Sequence, residues 1–384
     1  MAEAPVDVLI VGAGPVGLTL ARALAGRRFR IALLERRTLA AQRDDPRALA
    51  LAHGARQILE PLSAWPGAEA TGITDIHVSQ RGGFGRTLLQ AGDHGLPALG
   101  YVVRYGDLAA KLAAGIGELA GVELWENTTV TDLKEGGEAN QVTVQGADGE
   151  RRLAAKLIVH AEGAPADEHG LTVREYGQTA VVAEVECATP HGGRAWERFT
   201  PEGPLALLPL GKGYAVVFTL PHARAEAVLA LDDAGFLAAL QSQFSDRLRF
   251  TAAGPRTGFP LALRLRRELT AARQVWIGNA AQTLHPVSGQ GFNLGLRDAF
   301  VLSEAIWRGG PDAGATVNLA AYARRRQLDR QGGAAFTDGI VRLFSNDWPP
   351  LRLARGLGLL ALDVLPPLRH FVARRMIWGA RAWP

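Results

Sequence analysis

Apolar residues fill Val6–Val11, recur at helical spacing from Pro15 to Ala25, and fill a second run from Phe29 to Leu34 that ends at Glu35. That order predicts strand, helix, strand. Lys156–His160 (KLIVH) and Gln274–Ile277 (QVWI) read as further buried strands, each running into a glycine-containing turn. A sheet assembled from such distant pieces makes the first domain discontinuous. Ile73–Gln90, Thr179–Cys187, Arg198–Leu208 and Tyr214–Leu220 have another texture, alternating or carrying β-branched and aromatic residues as antiparallel strands do. They predict a second, sheet-based domain inserted into the first. After Asn293 the pattern turns mostly helical, most clearly over Leu296–Trp307 and Leu319–Gln331. The expected division is 1–71, 103–170 and 271–330 for the first domain, 72–102 and 171–270 for the inserted sheet, and 331–384 for a C-terminal helical segment.

A chain of 384 residues with 47% hydrophobic residues buries a substantial core, and its length suits about two domains. Cys187 is the single cysteine, which excludes an intrachain disulfide and fits a reducing cytoplasm. The opening MAEAPVDVLIVGAG lacks a basic n-region and a small-residue cleavage site, so no signal peptide is expected. The most apolar late stretch, Leu351–Val372, is broken by Arg352, Arg355, Asp363, Pro366 and Pro367, so no membrane span is expected. A net charge of +4 does not argue for nucleic acid. From Leu351 onward, however, Arg352, Arg355, Arg369, Arg374, Arg375 and Arg381 face Asp363 alone, with Trp378 and Trp383 nearby. Such a tail packs on its own protein or lies on an anionic membrane surface.

Gly12, Gly14 and Gly17 form G-x-G-x-x-G directly after a strand and opening a helix, with Glu35 ending the next strand. Glycines there admit a pyrophosphate to the backbone, the helix N-terminus stabilises its charge, and the carboxylate accepts from ribose hydroxyls. With Arg36 and Arg37 following Glu35, NAD, NADP and FAD all stay open. A second stretch bears on the choice. Gly278–Asp298 (GNAAQTLHPVSGQGFNLGLRD) ends a short strand in glycine, and Gly289, Gln290 and Gly291 lead into a helix near Phe292 and Asn293. Exposed N–H groups at such a helix start can hold the negative charge that a reduced flavin develops at its N1 and O2 edge. The nine histidines are scattered, without metal-ligand spacing, so no metal site is expected.

These motifs resemble those of the class A flavoprotein monooxygenases, whose folds are like para-hydroxybenzoate hydroxylase, over nearly the whole length. Four stretches carry the resemblance: Gly12–Gly17 with Glu35, Asp45–Leu51 (DPRALAL), Leu157–Gly163 (LIVHAEG) and Gly278–Asp298. Within the family, the chain is similar to the ubiquinone-ring hydroxylases and most like the 2-polyprenyl-6-methoxyphenol hydroxylases. The supporting details are Asn279, Gln282–Gly291 (QTLHPVSGQG), Ile76–Ser79 (IHVS), Arg194–Leu210 (RAWERFTPEGPLALLPL) and Phe336–Ser345 (FTDGIVRLFS). The resemblance implies an α/β fold: a discontinuous Rossmann-like FAD-binding domain, an inserted β-sheet substrate domain and a helical C-terminal segment. It implies Arg36, Arg47, Arg104, Glu162, Gly163, Asn279 and Gly289–Asn293 as further FAD-binding residues. It departs at Glu162 and Ala166, where the family has aspartate and serine in a motif serving both FAD and the pyridine nucleotide.

The implied reaction uses NADH or NADPH to reduce FAD, and then O2, by way of a flavin C4a-hydroperoxide, to hydroxylate a polyprenylated phenol of ubiquinone biosynthesis. Its rivals are a flavin-dependent isoprenoid reductase and a flavin-bearing scaffold of the biosynthetic complex. A group accepting the phenolic proton would assist, and His77 is the candidate. His285 and Pro286 are expected close to the ring, with Phe199, Pro204 and Leu205 as apolar walls. Because a polyprenylated phenol is nearly insoluble, the basic tail is expected to dock on the inner membrane face or on ubiquinone-biosynthesis enzymes, leaving the protein cytoplasmic or peripheral.

Overall fold

The computed structural model describes residues 5–165, 167–244, 247–346 and 348–379. Ala166, Arg381 and Trp383 lie outside these residues. Val6–Val11 is the centre of an eight-stranded sheet, paired in parallel with Ile31–Leu34 on one side and with the end of Gly149–His160 on the other. Gln274–Trp276 extends the parallel set beyond Gly149–His160, and Val122–Trp125 extends it beyond Ile31–Leu34. Val8, Leu9 and Ile10 are all buried because both faces are covered. Val8 and Ile10 join the core formed with Pro15–Leu24 and Gln290–Arg308, while Leu9 packs with Val142 and Val144 of an antiparallel meander.

The inserted domain is a nine-stranded sheet that includes Leu171–Cys187, Gly213–Pro221, Gly203–Leu210, Arg194–Thr200, Asp75–Gln80 and Arg86–Gln90 in that order. One face carries the helices His222–Leu229 and Asp233–Phe244 over Leu205, Leu207, Val216 and Phe218. The other face turns toward the loop Leu284–Gly289, where Phe199 packs against Val287. A three-stranded sheet of Ala48–Ala52, Gly100–Arg104 and Thr71–Ile73 lies between the two domains in sequence and supplies the strand beneath Gly289.

Two expected boundaries shift. Gln282–Thr283 pairs with Thr257–Arg266, so the inserted sheet takes its last strand from beyond residue 270. Helix Thr316–Phe344 runs unbroken for 29 residues through position 330, because its buried residues from Leu319 to Phe344 serve both domains. It is followed by Pro349–Val364 and Pro366–Trp378, bent by 96°. Among the described residues no single helix is long and apolar enough to cross a membrane.

Candidate active site

The first glycine loop is shaped by contact with the neighbouring strand end. Gly12 has φ +101°, and a Cβ on it would lie 2.6 Å from the Ala161 carbonyl oxygen and 2.7 Å from Glu162 Cα. A Cβ on Gly17 would lie 2.0 Å from the Gly12 oxygen. No side chain fits at either place, which leaves a bare backbone concavity opening on the N-terminus of Pro15–Leu24. Gly14 faces the Tyr105 hydroxyl. Glu35 accepts from the Ala13 N–H (3.0 Å) and the Arg37 N–H (3.1 Å), which holds its carboxylate at the end of Ile31–Leu34. Arg36 is exposed.

The second loop is held against the first. Gly278 and Gly295 let Val16 of the first helix approach, since a Cβ on Gly295 would stand 2.9 Å from Val16 Cγ2. Beneath it lies a buried ionic network. Asp298 accepts from the Gly278 N–H (3.0 Å) and Gln282 Nε2 (2.6 Å), and pairs with Arg326 Nε at 2.6 Å. Arg326 and Arg297 both reach Asp329 at 2.7 Å. Gly289 has φ +60° and begins the helix Gln290–Arg308, whose first N–H groups have no earlier helical carbonyls to bond. Asn293 accepts from the Ala52 N–H (2.8 Å) and donates to the carbonyls of Ala50 (2.9 Å) and Gly289 (2.8 Å). Its side chain therefore ties the loop to the neighbouring strand, and only its backbone is left for a ligand. Gln290 donates to the Met376 carbonyl at 3.1 Å, and Phe292 packs into the main core.

His285 is buried, and its Nδ1 accepts from the Val287 N–H at 3.1 Å, capping the turn Pro286–Ser288. Burial lowers its pKa to about 4, so the ring is neutral and shapes the loop. Arg47 makes a two-point pair with Asp45 (2.6 and 2.8 Å) and lies over the Tyr105 ring. The hydrogen bond to Asp45, against the opposing cost of burial, holds the Arg47 guanidinium above its ordinary range. Glu162 is half-exposed and lies 3.3 Å from His160 Nδ1, next to Gly163 with φ +90°. Asn279 is exposed on the turn after Gln274–Trp276.

Other expectations change. Arg104 pairs with Glu184 of the inserted sheet at 2.6 Å, so its guanidinium joins the two domains. Phe199 and Pro204 stand opposite one another on the face turned toward Val287. Leu205, one residue on, is buried on the opposite face among Val216 and Phe218, because the pleat alternates. His77 is also on that far face, 4.8 Å from the Trp196 ring. Burial, then Arg247, Arg86 and Arg194, lower its pKa. A histidine turned away from the Phe199 face cannot serve chemistry there.

Sequence reasoning missed Tyr105, Gln42 and Asp298. Gln42 donates to the Ala13 carbonyl at 2.9 Å beneath the first loop. Asp298 closes the second motif in sequence, and a carboxylate on the buried side of a glycine-led helix was the available signal.

A small apolar cleft lies beside Gly289, Gln290 and Asn293, lined by Ile73, Ile76 and Leu89 and by Met376 and Ile377 of the last helix. Two glycine-led helix starts, an acidic strand end and an apolar cleft on an inserted sheet define a dinucleotide-dependent oxidoreductase of the flavoprotein monooxygenase class. The comparisons with known proteins agree. The family described as "FAD binding domain" matches residues 5–331. Ubiquinone hydroxylase UbiL of Rhodospirillum rubrum is 35% identical over 100% of this chain and 92% of its own. The 3-demethoxyubiquinol 3-hydroxylase of Escherichia coli is 28% identical, covering 94% of this chain and 96% of its own. In fold the chain is similar to p-nitrophenol 4-monooxygenase PnpA of Pseudomonas putida, with TM-score 0.79 at 18% identity over 99% of this chain and 100% of that one. The chain belongs to the FAD-binding family of flavoprotein monooxygenases that contains the ubiquinone hydroxylases, and FAD, NAD(P)H and O2 are the cofactors of that class.

Proposed function

We propose that the protein hydroxylates the aromatic ring of a polyprenylated phenol in ubiquinone biosynthesis, with FAD, NADH or NADPH, and O2. The observation that carries this reading is the small apolar cleft between the Gly289–Gln290 turn and the last helix, in a chain similar from end to end to ubiquinone hydroxylase UbiL. FAD supplies the redox and oxygen chemistry, which no protein side chain can perform. Gly12–Gly17 would hold its pyrophosphate and Glu35 its ribose. Arg47, Glu162, Gly163 and Asn279 would border it. The N–H groups of Gln290 and Gly291 would hold negative charge at the pyrimidine edge of the ring. Phe199 and Pro204 would keep water from the reacting face.

The tail fits a substrate drawn from lipid. Leu353, Leu357, Leu360 and Val364 are exposed at helical spacing along Pro349–Val364, and Leu365, Leu368 and Phe371 continue the exposed surface on the next helix. This apolar surface, more than charge, makes it a membrane-docking face. Arg355 is buried and donates to the carbonyls of Phe344 and Asn346, and Arg369 donates to the Asp363 carbonyl, so neither is free for lipid phosphates. Trp378 also turns inward, against Gly54.

Stopped-flow flavin absorbance with NADH or NADPH, with and without a short-chain prenylphenol, tests the reading. The phenol should accelerate flavin bleaching, and 18O2 should leave one labelled oxygen on the ring. A flavin that neither nucleotide reduces, or a phenol returned unlabelled, would overturn it.

A further inference from the structure

Strand register fixes where Glu197 points. On Arg194–Thr200 it stands opposite Val78 on one side and Ala206 on the other. Residues directly opposite share a face, so Glu197 lies in one row with Thr87, Val78 and Ala206. The next row on that face holds Ile76, which lines the apolar cleft, and the row beyond Glu197 holds Phe199, which packs on Val287. Glu197 therefore stands in the row between Ile76, on the cleft wall, and Phe199, which packs on the loop that carries His285 and Pro286.

Nothing in the protein accounts for a carboxyl there. Oε1 of Glu197 is sealed from solvent and has no hydrogen-bond partner within the chain, and the same is true of Thr87 Oγ1 in the same row. Arg86, Arg194 and Arg198 alternate onto the opposite face with His77. On the elements packed against the near face, Tyr176 bonds to Asp338, His285 caps its own turn through Nδ1 while its Nε2 has no partner and its ring is held neutral by burial, Arg355 holds main-chain carbonyls and Arg352 lies by Gly82. Burial alone pushes the Glu197 carboxyl up to about 8. A residue present only for packing would carry no charge, because an unpaired buried carboxylate is destabilising.

We propose that Glu197 is the catalytic residue that takes the proton from the substrate's ring hydroxyl, an assignment resting on the phenol-hydroxylase reading above. As the terminal hydroxyl of a peroxide-level, O2-derived oxidant bonds to a ring carbon, the oxidant's O–O bond breaks with its electron pair going to the departing oxygen, which later takes up the proton lost from the ring carbon. In the same step the phenolic O–H bond breaks. Its proton passes to the Glu197 carboxylate, and its electron pair forms the ring C=O. The ring then loses the proton from the newly oxygenated carbon and takes Glu197's proton back on the original oxygen, which restores the phenol. A carboxyl raised toward the phenol range suits this transfer better than one of ordinary acidity.

The test uses the full-length FAD-loaded protein, its Glu197→Gln and Glu197→Asp variants, and a short-chain prenylphenol. In the wild type the single-turnover hydroxylation rate should rise with pH, with a midpoint near 8. Glu197→Gln should lower that rate about 10²- to 10⁴-fold, with a flat profile and unchanged flavin content. Glu197→Asp should keep a pH-dependent profile at a reduced rate. A second readout is thermal midpoint against pH. Between the unfolded pKa and about 8 the folded protein holds a proton that the unfolded chain has lost, so wild-type stability should fall as pH rises across that window, and Glu197→Gln should lack this slope. Wild-type rate and pH profile in Glu197→Gln would overturn the assignment. If Glu197→Gln does not fold, a Glu197→Asp profile without pH dependence would do the same. A wild-type protein that hydroxylates no phenol would instead count against the functional reading itself.

Discussion

The two ligand-facing surfaces of this molecule are built on opposite principles. In the cofactor cradle the polar side chains mainly brace the glycine loops: Asn293 makes three hydrogen bonds, Asp298 joins a buried ion-pair network, and His285 Nδ1 caps its own turn, while Gln42 Oε1, Gln282 Oε1 and His285 Nε2 are buried atoms left without a partner there. What faces outward is backbone, exposed at glycines. On the substrate face of the inserted sheet the backbone is taken up in strand pairing, and what projects from the face is side chains. Two of them, Glu197 and Thr87, hold buried polar atoms that the protein leaves unbonded. A cradle that must bind one conserved chemical shape can be made of main chain, whereas a surface that must act on a substrate keeps side-chain capacity in reserve.

Four perturbations test that contrast, taken from the largest expected effect. Gly12→Ala should abolish FAD retention, because its Cβ would press on the Ala161 carbonyl from a backbone conformation that disfavours side chains. The ratio of flavin to protein absorbance after gel filtration measures it, and full flavin content would refute the cradle geometry. Asp298→Ala removes one of the two carboxylates paired with buried Arg326, and the acceptor for the Gly278 N–H and Gln282 Nε2, and should cost about 3–5 kcal/mol, read from denaturant midpoints of the FAD-stripped protein.

The His285 pH effect is next. Its folded pKa near 4 lies below the unfolded value, so the unfolded chain binds the extra proton between those values. Stability should then fall as pH drops through that window, by about 3 kcal/mol, and His285→Asn should flatten this slope. Glu162→Asp should change flavin content and stability by less than about 0.5 kcal/mol, because the side chain is half-exposed. A large gain in the rate of flavin reduction would show instead that the glutamate hinders the pyridine nucleotide.

The cradle was legible in sequence because its signals are local. Gly12, Gly14, Gly17 and Glu35 lie within one strand-helix-strand unit, and Gly289–Gly291 lead one helix. The substrate face was read less well, for a reason that lies in the pleat. The resemblance implies Phe199, Pro204 and Leu205 together as walls, but adjacent strand residues point to opposite faces, and Leu205 belongs to the far core. His77 was chosen by residue type and lies on the far face for the same reason. Counting by two from Phe199, which was expected as a wall, leads directly to Glu197. The pairing of Arg104 with Glu184 spans 80 residues and leaves no local trace. In the C-terminal segment composition does not reveal that Arg355 is buried while Arg352, Arg374 and Arg375 stay exposed.

The helix Thr316–Phe344 has a mechanical consequence. At 1.5 Å per residue its 29 residues make a beam about 43 Å long. Near one end the Tyr322 hydroxyl donates to the Trp276 carbonyl of the parallel sheet, and near the middle Arg330 bonds the Arg266 carbonyl of the inserted sheet. At the far end Asp338 pairs with Arg174, and Phe344 stacks on Phe199 with ring centroids 3.8 Å apart. A rod bolted to both domains at several points resists hinge bending between them. The last two helices are anchored as well, through Arg355 on the Phe344 carbonyl at the end of the rod and Gln290 on the Met376 carbonyl, so passage of a bulky substrate falls to side-chain movement along the cleft, such as that of half-buried Met376.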